Sequence, residues 1–306
     1  MDTTAEYRKY LDPRTLARIH SLDLRARLIV EGLMAGMHRS PYQGISVEFA
    51  QHRQYVPGDD IRHVDWKVFA KTDKIYLKQY LEETNLHLVV VVDASESMGY
   101  GTVKEGGDKW TKYDHATAIA AALSYLVIQQ QDSVGLGIFD SELKRFFKPS
   151  NSPAQWKVVT HELNIVPRLR KTNTGRVLDQ LAEKITHRSL VVLLSDFFDE
   201  LDSIEQGLRH LRYKKNEVMV FQILDPMETQ FPFEDVTLFK GLEESGELLT
   251  EPRALRDAYL EQLELHTDAL KKMCRGMHND FVRMNSGEPL DVSLSGFLAN
   301  RGASMK

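Results

Sequence analysis

The chain of 306 residues contains a single cysteine, Cys274, so no intrachain disulfide can form. We expect this thiol to be a small buried apolar residue in a protein of a reducing compartment. The chain also lacks any apolar run near the ~20 residues that a transmembrane helix needs. Its N-terminus has neither the basic start nor the apolar stretch of a secretory signal. These absences predict a cytoplasmic protein without membrane insertion.

A strong excess of one charge is also lacking. The formal net charge is −5, with 27% charged and 42% hydrophobic residues, which is ordinary for a soluble globular protein. The basic cluster at residues 209–215 lies at a predicted helix end, where cations favour the helix dipole. We therefore expect no nucleic-acid partner. The length allows one large domain or two small ones.

Motifs of common enzyme classes are missing as well. The chain has no Gly-x-x-x-x-Gly-Lys-Ser/Thr phosphate loop, so it should not hydrolyse ATP itself. It has no Gly-x-Ser-x-Gly nucleophile elbow. Its 11 histidines are scattered and show no metal-ligand spacing. The sequence therefore predicts a protein that is not an enzyme.

The pattern Asp-x-Ser-x-Ser follows a short apolar run, residues 88–92, which reads as a strand buried on both faces of a parallel sheet. The pattern supplies the oxygens of Asp93, Ser95 and Ser97. Ligands bind beyond the carboxyl ends of strands in open α/β sheets, and hard oxygen ligands suit Mg²⁺. Asp and Ser are also common turn formers, so a cap-and-turn role is the alternative.

Two more oxygen ligands follow later elements. Thr172 precedes a predicted helix, and Asp196 ends a second apolar strand, residues 190–194. This set resembles the metal-ion-dependent adhesion site of von Willebrand factor A domains. The resemblance implies five ligand positions, Asp93, Ser95, Ser97, Thr172 and Asp196. It implies bound Mg²⁺, with Mn²⁺ and Ca²⁺ as alternatives.

Strands and helices alternate from residue 86 to about residue 225, which indicates a parallel sheet covered on both faces. We predict an α/β fold of the von Willebrand A type, doubly wound, over residues 86–306. Residues 1–85 differ: a helical pattern at residues 16–37 precedes short β-like pieces at residues 46–49 and 75–80. They predict a small N-terminal β-containing subdomain.

A longer stretch carries a second resemblance. Residues 38–49 and 53–66, the latter containing Tyr-Val-Pro-Gly-Asp-Asp-Ile-Arg-His-Val-Asp-Trp, are similar to the hallmark of a bacterial family known as domain of unknown function fifty-eight. The similarity continues through the Asp-x-Ser-x-Ser loop and through Lys-Tyr-Asp-His-Ala at residues 112–116. It implies a von Willebrand A-like protein that works with a MoxR-type AAA+ ATPase in a chaperone-like system.

The Pro-Gly-Asp-Asp turn at residues 57–60 suits a type II turn. Its charged neighbours could hold the subdomain together through an internal network, or they could contact a partner. The residues proposed for partner contact are Arg53, Asp59, Asp60 and Arg62.

The sequence thus predicts a non-catalytic, metal-dependent protein-binding module. Its metal would accept an acidic residue from an AAA+ ATPase or from a client protein. The alternative is a metal-dependent hydrolase or phosphatase that uses Asp93 and Asp196. Ser95 argues against a phosphatase, because it stands where the second Asp of an Asp-x-Asp motif would act. No cationic group for a phosphate is expected in these loops.

Overall fold

The protein is described by a computed structural model, which covers residues 12–37, 51–56, 64, 66–72, 74–79, 86–105, 108–164, 173–241 and 246–290. The chain divides into two compact units. The smaller is residues 37–85, and the larger is residues 1–36 together with 86–306. The predicted boundary was residue 85, with the whole preceding segment in one subdomain. In the structure the described residues 12–36 are part of the larger unit.

The strands of the described residues are β1 (Gln51–Gln54), β2 (Tyr76–Gln79), β3 (His87–Asp93), β4 (Val103–Glu105), β5 (Asp108–Trp110), β6 (Ser133–Phe139), β7 (Leu143–Ser150), β8 (Leu190–Ser195), β9 (Glu217–Leu224), β10 (Thr237–Lys240), β11 (Glu247–Thr250) and β12 (Asp280–Asn285). The helices are α1 (Pro13–Ala17), α2 (Leu22–Met37), α3 (Trp66–Thr72), α4 (Lys112–Gln129), α5 (Pro153–Leu163), α6 (Thr174–Lys184), α7 (Leu201–Tyr213), α8 (Pro226–Gln230) and α9 (Pro252–Gly276).

A six-stranded sheet forms the centre of the larger unit, in the order β12-β9-β8-β3-β6-β7. All neighbouring strands run parallel except the edge strand β7, which pairs antiparallel with β6. Counted along the chain within this sheet, the order is 3-2-1-4-5-6. The order reverses between β3 and β8, which is the switch point of a doubly wound sheet.

The central strands form because their apolar runs can be buried on both faces. Val89 and Val91 of β3 face a core built with helices α6, α7 and α9. Leu88, Val90 and Val92 face a second core built with α2, α4 and α5. Helices therefore cover both faces, and the predicted von Willebrand A-type α/β fold is confirmed.

Most predicted elements lie within one or two residues of the observed ones. The region of residues 16–37 is an exception, because it forms two helices instead of one. The first ends near Arg18, where the Ile19 amide donates to the Leu16 carbonyl. The second begins after Ser21, whose hydroxyl accepts from the Leu24 amide at 3.4 Å. A serine cap of this kind starts a new helix.

The smaller unit contains the antiparallel pair β1–β2, in which Arg53 is opposite Leu77. Two further antiparallel pairs, β4–β5 and β10–β11, belong to the larger unit. The apolar segments at residues 236–242 and 247–249 predict the β10–β11 hairpin, whereas no pattern predicts the β4–β5 hairpin. The predicted strand at 46–49 and nearly all of residues 290–300, whose pattern predicts a closing helix, lie outside the described residues.

Candidate metal site at the carboxyl edge of the sheet

The predicted ligands Asp93 and Asp196 lie where β3 and β8 end side by side. The two strands are parallel, with Val92 opposite Leu194, so the chain leaves the sheet at the same edge in both. This is the switch point of the sheet, where loops of neighbouring strands diverge and leave a crevice. The fold therefore brings the Asp-x-Ser-x-Ser loop to the Asp196 loop.

The side chain of Asp93 is fully buried and bound from two sides. Its Oδ1 accepts from the Ser95 amide at 2.8 Å, which forms the turn that redirects the chain after β3. Its Oδ2 accepts from the Ser195 hydroxyl at 2.5 Å. Ser195 in turn accepts from the Phe197 amide at 3.0 Å. These bonds fix the Asp93 carboxylate against the Asp196 loop.

The two serine hydroxyls of the same loop are neighbours. Ser95 Oγ and Ser97 Oγ lie 3.0 Å apart. Adjacent ligands of an octahedral Mg²⁺, with metal–oxygen distances of about 2.1 Å, are also about 3.0 Å apart. Ca²⁺, with longer bonds of about 2.4 Å, would separate them by about 3.4 Å in the same geometry. The spacing is that of a hydrogen bond between the two hydroxyls, and it is also compatible with adjacent ligands of Mg²⁺.

Asp196 belongs to a loop held in an unusual backbone conformation. Phe197 is buried with a left-handed φ of 57°. Its carbonyl lies 2.8 Å from the His266 ring. The Asp196 carbonyl accepts from the Gln222 side chain at 3.3 Å, and Asp196 Oδ1 accepts from the Phe198 amide at 3.3 Å. Contacts from β9 and α9 thus hold the backbone of this loop, and the Phe198 amide contacts the Asp196 carboxylate.

A lysine occupies the other side of Asp196. Lys112, the first residue of α4, is fully buried. Its ammonium lies 2.8 Å from Asp196 Oδ2 and 2.7 Å from Glu228 Oε1. It also lies 5.3 Å from the centre of the Phe198 ring. The loops themselves were expected to offer no cationic group for a phosphate; this ammonium instead reaches Asp196 from a helix 84 residues earlier.

Burial changes the proton affinities of these groups. Burial, followed by the nearby Asp196 charge, raises the pKa of Asp93 to about 7. Burial also raises the pKa of Glu228 despite the opposing effect of Lys112. For Lys112 burial disfavours the charged form, but Asp196 and Glu228 outweigh it and raise its pKa. Lys112 is therefore a permanent cation at neutral pH.

The charges of this cluster do not balance. Ionised Asp93, Asp196 and Glu228 carry three negative charges, against the single positive charge of Lys112. The excess is −2 when Asp93 is ionised and −1 when it is protonated, and its pKa of about 7 places both forms near neutral pH. Carboxylates in excess of the one ammonium, with two hydroxyls beside them, are a donor set that suits a divalent cation.

The fit depends on hydroxyls as much as on carboxylates. Among the described residues, no three His, Cys, Asp or Glu side chains form a group that could hold a metal ion. A site built from Asp93, Ser95, Ser97 and Asp196 has only two such residues. It would leave coordination positions to water or to a partner, as Mg²⁺ prefers.

Several predicted residues cannot be placed in this way. Thr172 lies outside the described residues, as do Asp59, Asp60 and Arg62, and Arg53 is placed only as part of β1. The described chain resumes at Asn173, next to the Asp196 loop. There the Thr174 amide donates to Asp199 Oδ2 at 2.6 Å, and the buried Thr174 hydroxyl has no hydrogen-bond partner among the described residues.

Sequence reasoning gave no role to Lys112, Glu228 or Ser195. A readable signal existed for Glu228, because Asp225-Pro-Met-Glu228 is a capping box, and the structure confirms both of its hydrogen bonds. The signal for Lys112 was weaker: a cation in the first turn of a helix opposes the dipole and needs a compensating anion. Ser195 carried no signal beyond its position before Asp196.

The sequence model of the family described as "Protein of unknown function DUF58" matches residues 51–269. Uncharacterized proteins of Mycobacterium tuberculosis and Mycobacterium bovis are 26% identical over 299 residues, which cover 95% of this chain and 90% of theirs. Among solved structures, BatB from Bacteroides thetaiotaomicron is similar over 71% of this chain and 99% of its own, at 13% identity and a TM-score of 0.46. The VWA domain of SpRpn10 is similar over 69% of this chain and 93% of its own, at 11% identity and a TM-score of 0.37.

Proposed function

The chain belongs to the DUF58 family, and we propose that it is a non-catalytic module that binds a protein partner through a divalent cation at the carboxyl edge of its sheet. The observation that carries the proposal is the loop after β3. It places the Ser95 and Ser97 hydroxyls 3.0 Å apart beside the buried Asp93 carboxylate, in a cluster whose three acidic side chains outnumber its one ammonium.

Some residues of the site would bind the cation, and others hold those residues in place. The hydroxyls of Ser95 and Ser97 would ligate the cation, and Asp93 and Asp196 would balance its charge, directly or through water. When bound, the metal supplies an open coordination position that accepts a carboxylate. Ser195 holds Asp93 Oδ2 and Lys112 holds Asp196 Oδ2, so both carboxylates have defined hydrogen-bond partners inside the protein.

The rim of the site supports a protein partner. Phe198 follows Asp196 by two residues, and its ring is 42% exposed although the preceding Phe197 is buried. An exposed aromatic beside a polar site is a typical anchor in protein interfaces. The partner would be a protein with an acidic residue, and the family resemblance of the sequence suggests a MoxR-type AAA+ ATPase or one of its clients.

A hydrolase that uses Asp93 as a nucleophile is the alternative. Its attacking oxygen would have to reach a substrate. Both oxygens of Asp93 accept hydrogen bonds inside the protein, and the side chain has no exposed surface. Lys112 is also enclosed by Asp196 and Glu228 and has no exposed surface with which to bind a phosphate. This burial argues against Asp93 as a nucleophile and against Lys112 as a phosphate-binding group.

The test is a calorimetric titration of Mg²⁺ into the wild type, Asp93→Asn and Asp140→Asn. Asp140 is the matched control, because it is a buried aspartate after the next strand, β6, and pairs with Lys144 at 3.3 Å. We expect Asp93→Asn to weaken Mg²⁺ binding at least about tenfold without unfolding the protein, because the metal loses a charge partner. Asp140→Asn should bind like the wild type. Equal losses in both variants, or no Mg²⁺ binding at all, would contradict the metal site.

The same proteins are then mixed with a co-encoded AAA+ ATPase. Removal of metal by EDTA and the Asp93→Asn change should weaken the complex, and their effects should not add because both remove one contact. A Glu→Gln or Asp→Asn change at the partner's contact should act in the same way. A complex of equal affinity with and without EDTA would place the binding surface elsewhere on the protein.

A further inference from the structure

The feature that the proposed function leaves unexplained is the buried ammonium of Lys112. The side chain has no exposed surface, and it starts at the N-terminus of α4, where the helix dipole disfavours a cation. It is nevertheless enclosed by Asp196, Glu228 and the Phe198 ring. Burial of a charge at this position is tolerated only because both carboxylates hold it.

The dependence is mutual. Asp196 and Glu228 are themselves largely buried, with side-chain exposures of 3% and 16%. Removal of the ammonium would leave two carboxylates close together without a counter-ion. Lys112 thus already supplies, from within the chain, part of the positive charge that a metal would bring to the Asp196 loop.

A divalent cation on the Ser95–Ser97 side would meet this ammonium across Asp196. Two positive charges in a site of low dielectric repel each other, so the lysine must weaken metal binding. The competition is also direct, because Asp196 Oδ2 is the atom that Lys112 contacts. Asp196 Oδ1 accepts a longer hydrogen bond, 3.3 Å, from the Phe198 amide.

We propose that Lys112 is a resident cation that competes with the metal for Asp196, so that it keeps the site folded without metal and limits metal affinity. The inference rests on the proposed function, because it assumes that the metal binds beside Asp93. It assigns to the native protein a weak, exchangeable site. Metal would then join when a partner carboxylate adds its negative charge.

The experiment replaces Lys112 with methionine, which keeps the length and apolar stem of the side chain without its charge. Lys144→Met is the matched control, because Lys144 pairs with Asp140 and Glu142 at the same edge of the sheet. Mg²⁺ affinity is measured by calorimetry, and the melting temperature is measured with and without Mg²⁺. We expect Lys112→Met to bind Mg²⁺ at least about tenfold more tightly than the wild type, because a repelling charge is gone. It should melt lower than the wild type without metal and gain more from Mg²⁺.

A second variant keeps the inference testable if Lys112→Met alone does not fold. Lys112→Met combined with Glu228→Gln removes one charge of each sign, and the Gln carbonyl can still accept from the Asp225 amide as Glu228 does at 2.7 Å. This variant should also bind Mg²⁺ more tightly than the wild type. Lys144→Met should bind with wild-type affinity.

The outcomes distinguish a failure of the proposed metal site from a failure of the inference about Lys112. If the wild type binds Mg²⁺ and both Lys112 variants bind it no more tightly, the resident-cation inference is overturned and the metal site stands. If only the Lys112 variants bind Mg²⁺, Lys112 excludes the metal from the native protein, so the competition stands and the metal-dependent function proposed above is overturned. If none binds, both are overturned. Tighter binding in Lys144→Met as well would show a general charge effect and would overturn the assignment to Lys112.

Discussion

Asp225 and Asp93 follow two strands of one sheet, are both fully buried, and differ in how their charges are satisfied. Asp225 caps α8 and accepts hydrogen bonds from the Thr102 amide, the Thr102 hydroxyl, the Met227 amide and the Ser286 hydroxyl. Asp93 accepts from Ser95 and Ser195, and burial with the nearby Asp196 charge raises its pKa to about 7.

The difference separates an aspartate whose oxygens are fully used by the fold from the one that we propose as part of a metal site. The donors around Asp225 come from three separate parts of the chain and join the β4–β5 region to the end of β9. Buried polar groups are normally satisfied in this way. Asp93 keeps a disfavoured charge, and such sites are characteristic of function. Sequence alone shows an apolar strand followed by Asp in both cases.

The largest expected effect is the loss of stability in Asp225→Ala. It would leave several amide and hydroxyl donors without an acceptor and remove a helix cap, so we expect a loss of about 3–5 kcal/mol in the free energy of unfolding. Asp93→Ala, in the same metal-free buffer at pH 8, should cost less than about 2 kcal/mol, because it also relieves a buried charge. Both values are measured by urea unfolding.

Equal losses of stability in the two alanine variants would contradict the distinction between Asp93 and Asp225. Asp93 would then be a structural residue like Asp225, and its raised pKa would not indicate a binding role. A loss in Asp93→Ala that exceeds the loss in Asp225→Ala would reverse the assignment of the two residues.

His115 is a buried titratable group that, like Asp225, belongs to the fold. The pH dependence of the free energy of unfolding tests this. His115 is fully buried, and its Nδ1 accepts from Trp110 Nε1 at 3.3 Å. Burial lowers its pKa from 6.5 to about 3. Below pH 6.5 the unfolded chain therefore binds a proton that the folded chain does not, so stability falls as the pH falls. The loss should be about 2 kcal/mol at pH 5.

The measurement compares wild type with His115→Gln, whose amide oxygen can still accept from Trp110. Urea unfolding at pH 7 and pH 5 gives the difference in stability between the two proteins at each pH. Other titrating groups, Asp93 among them, are present in both proteins and cancel in this difference. The difference should shift by about 2 kcal/mol in favour of the variant at pH 5. A constant difference would show that His115 is protonated in the folded protein.

The strands and helices could be read from the sequence where one local cause dominates. The uncharged apolar run of β3 permits only a strand buried on both faces, and Pro252 marks the start of α9. The prediction that the loops after β3 and β8 meet followed from these strands, because parallel strands end at a common edge of the sheet. The break between α1 and α2 was missed, since the capping role of Ser21 interrupts a helical pattern that otherwise continues.

The ion-pair network could not be read in the same way. Lys112 and Asp196 are 84 residues apart, and Lys112 and Glu228 are 116 apart, so only the folded chain joins them. Nothing in the local sequence distinguishes a lysine that turns inward from one that remains in solvent. The oxygen-bearing side chains at strand ends can therefore be predicted from the sequence. The counter-ions that they contact cannot, because those contacts depend on tertiary packing.

The smallest expected effect concerns Phe198, which links the charged cluster to the surface. Its ring lies 5.3 Å from the Lys112 ammonium and is 42% exposed, so it contributes a cation–π contact and little core packing. We expect Phe198→Leu to lower the free energy of unfolding by about 0.5–1 kcal/mol. In the Lys112→Met background, where no cation remains, the same change should cost almost nothing. A double-mutant cycle by urea unfolding measures the coupling. Equal losses in both backgrounds would mean that Phe198 acts through packing alone, and Lys112 would then be held by its two carboxylates without help from the ring.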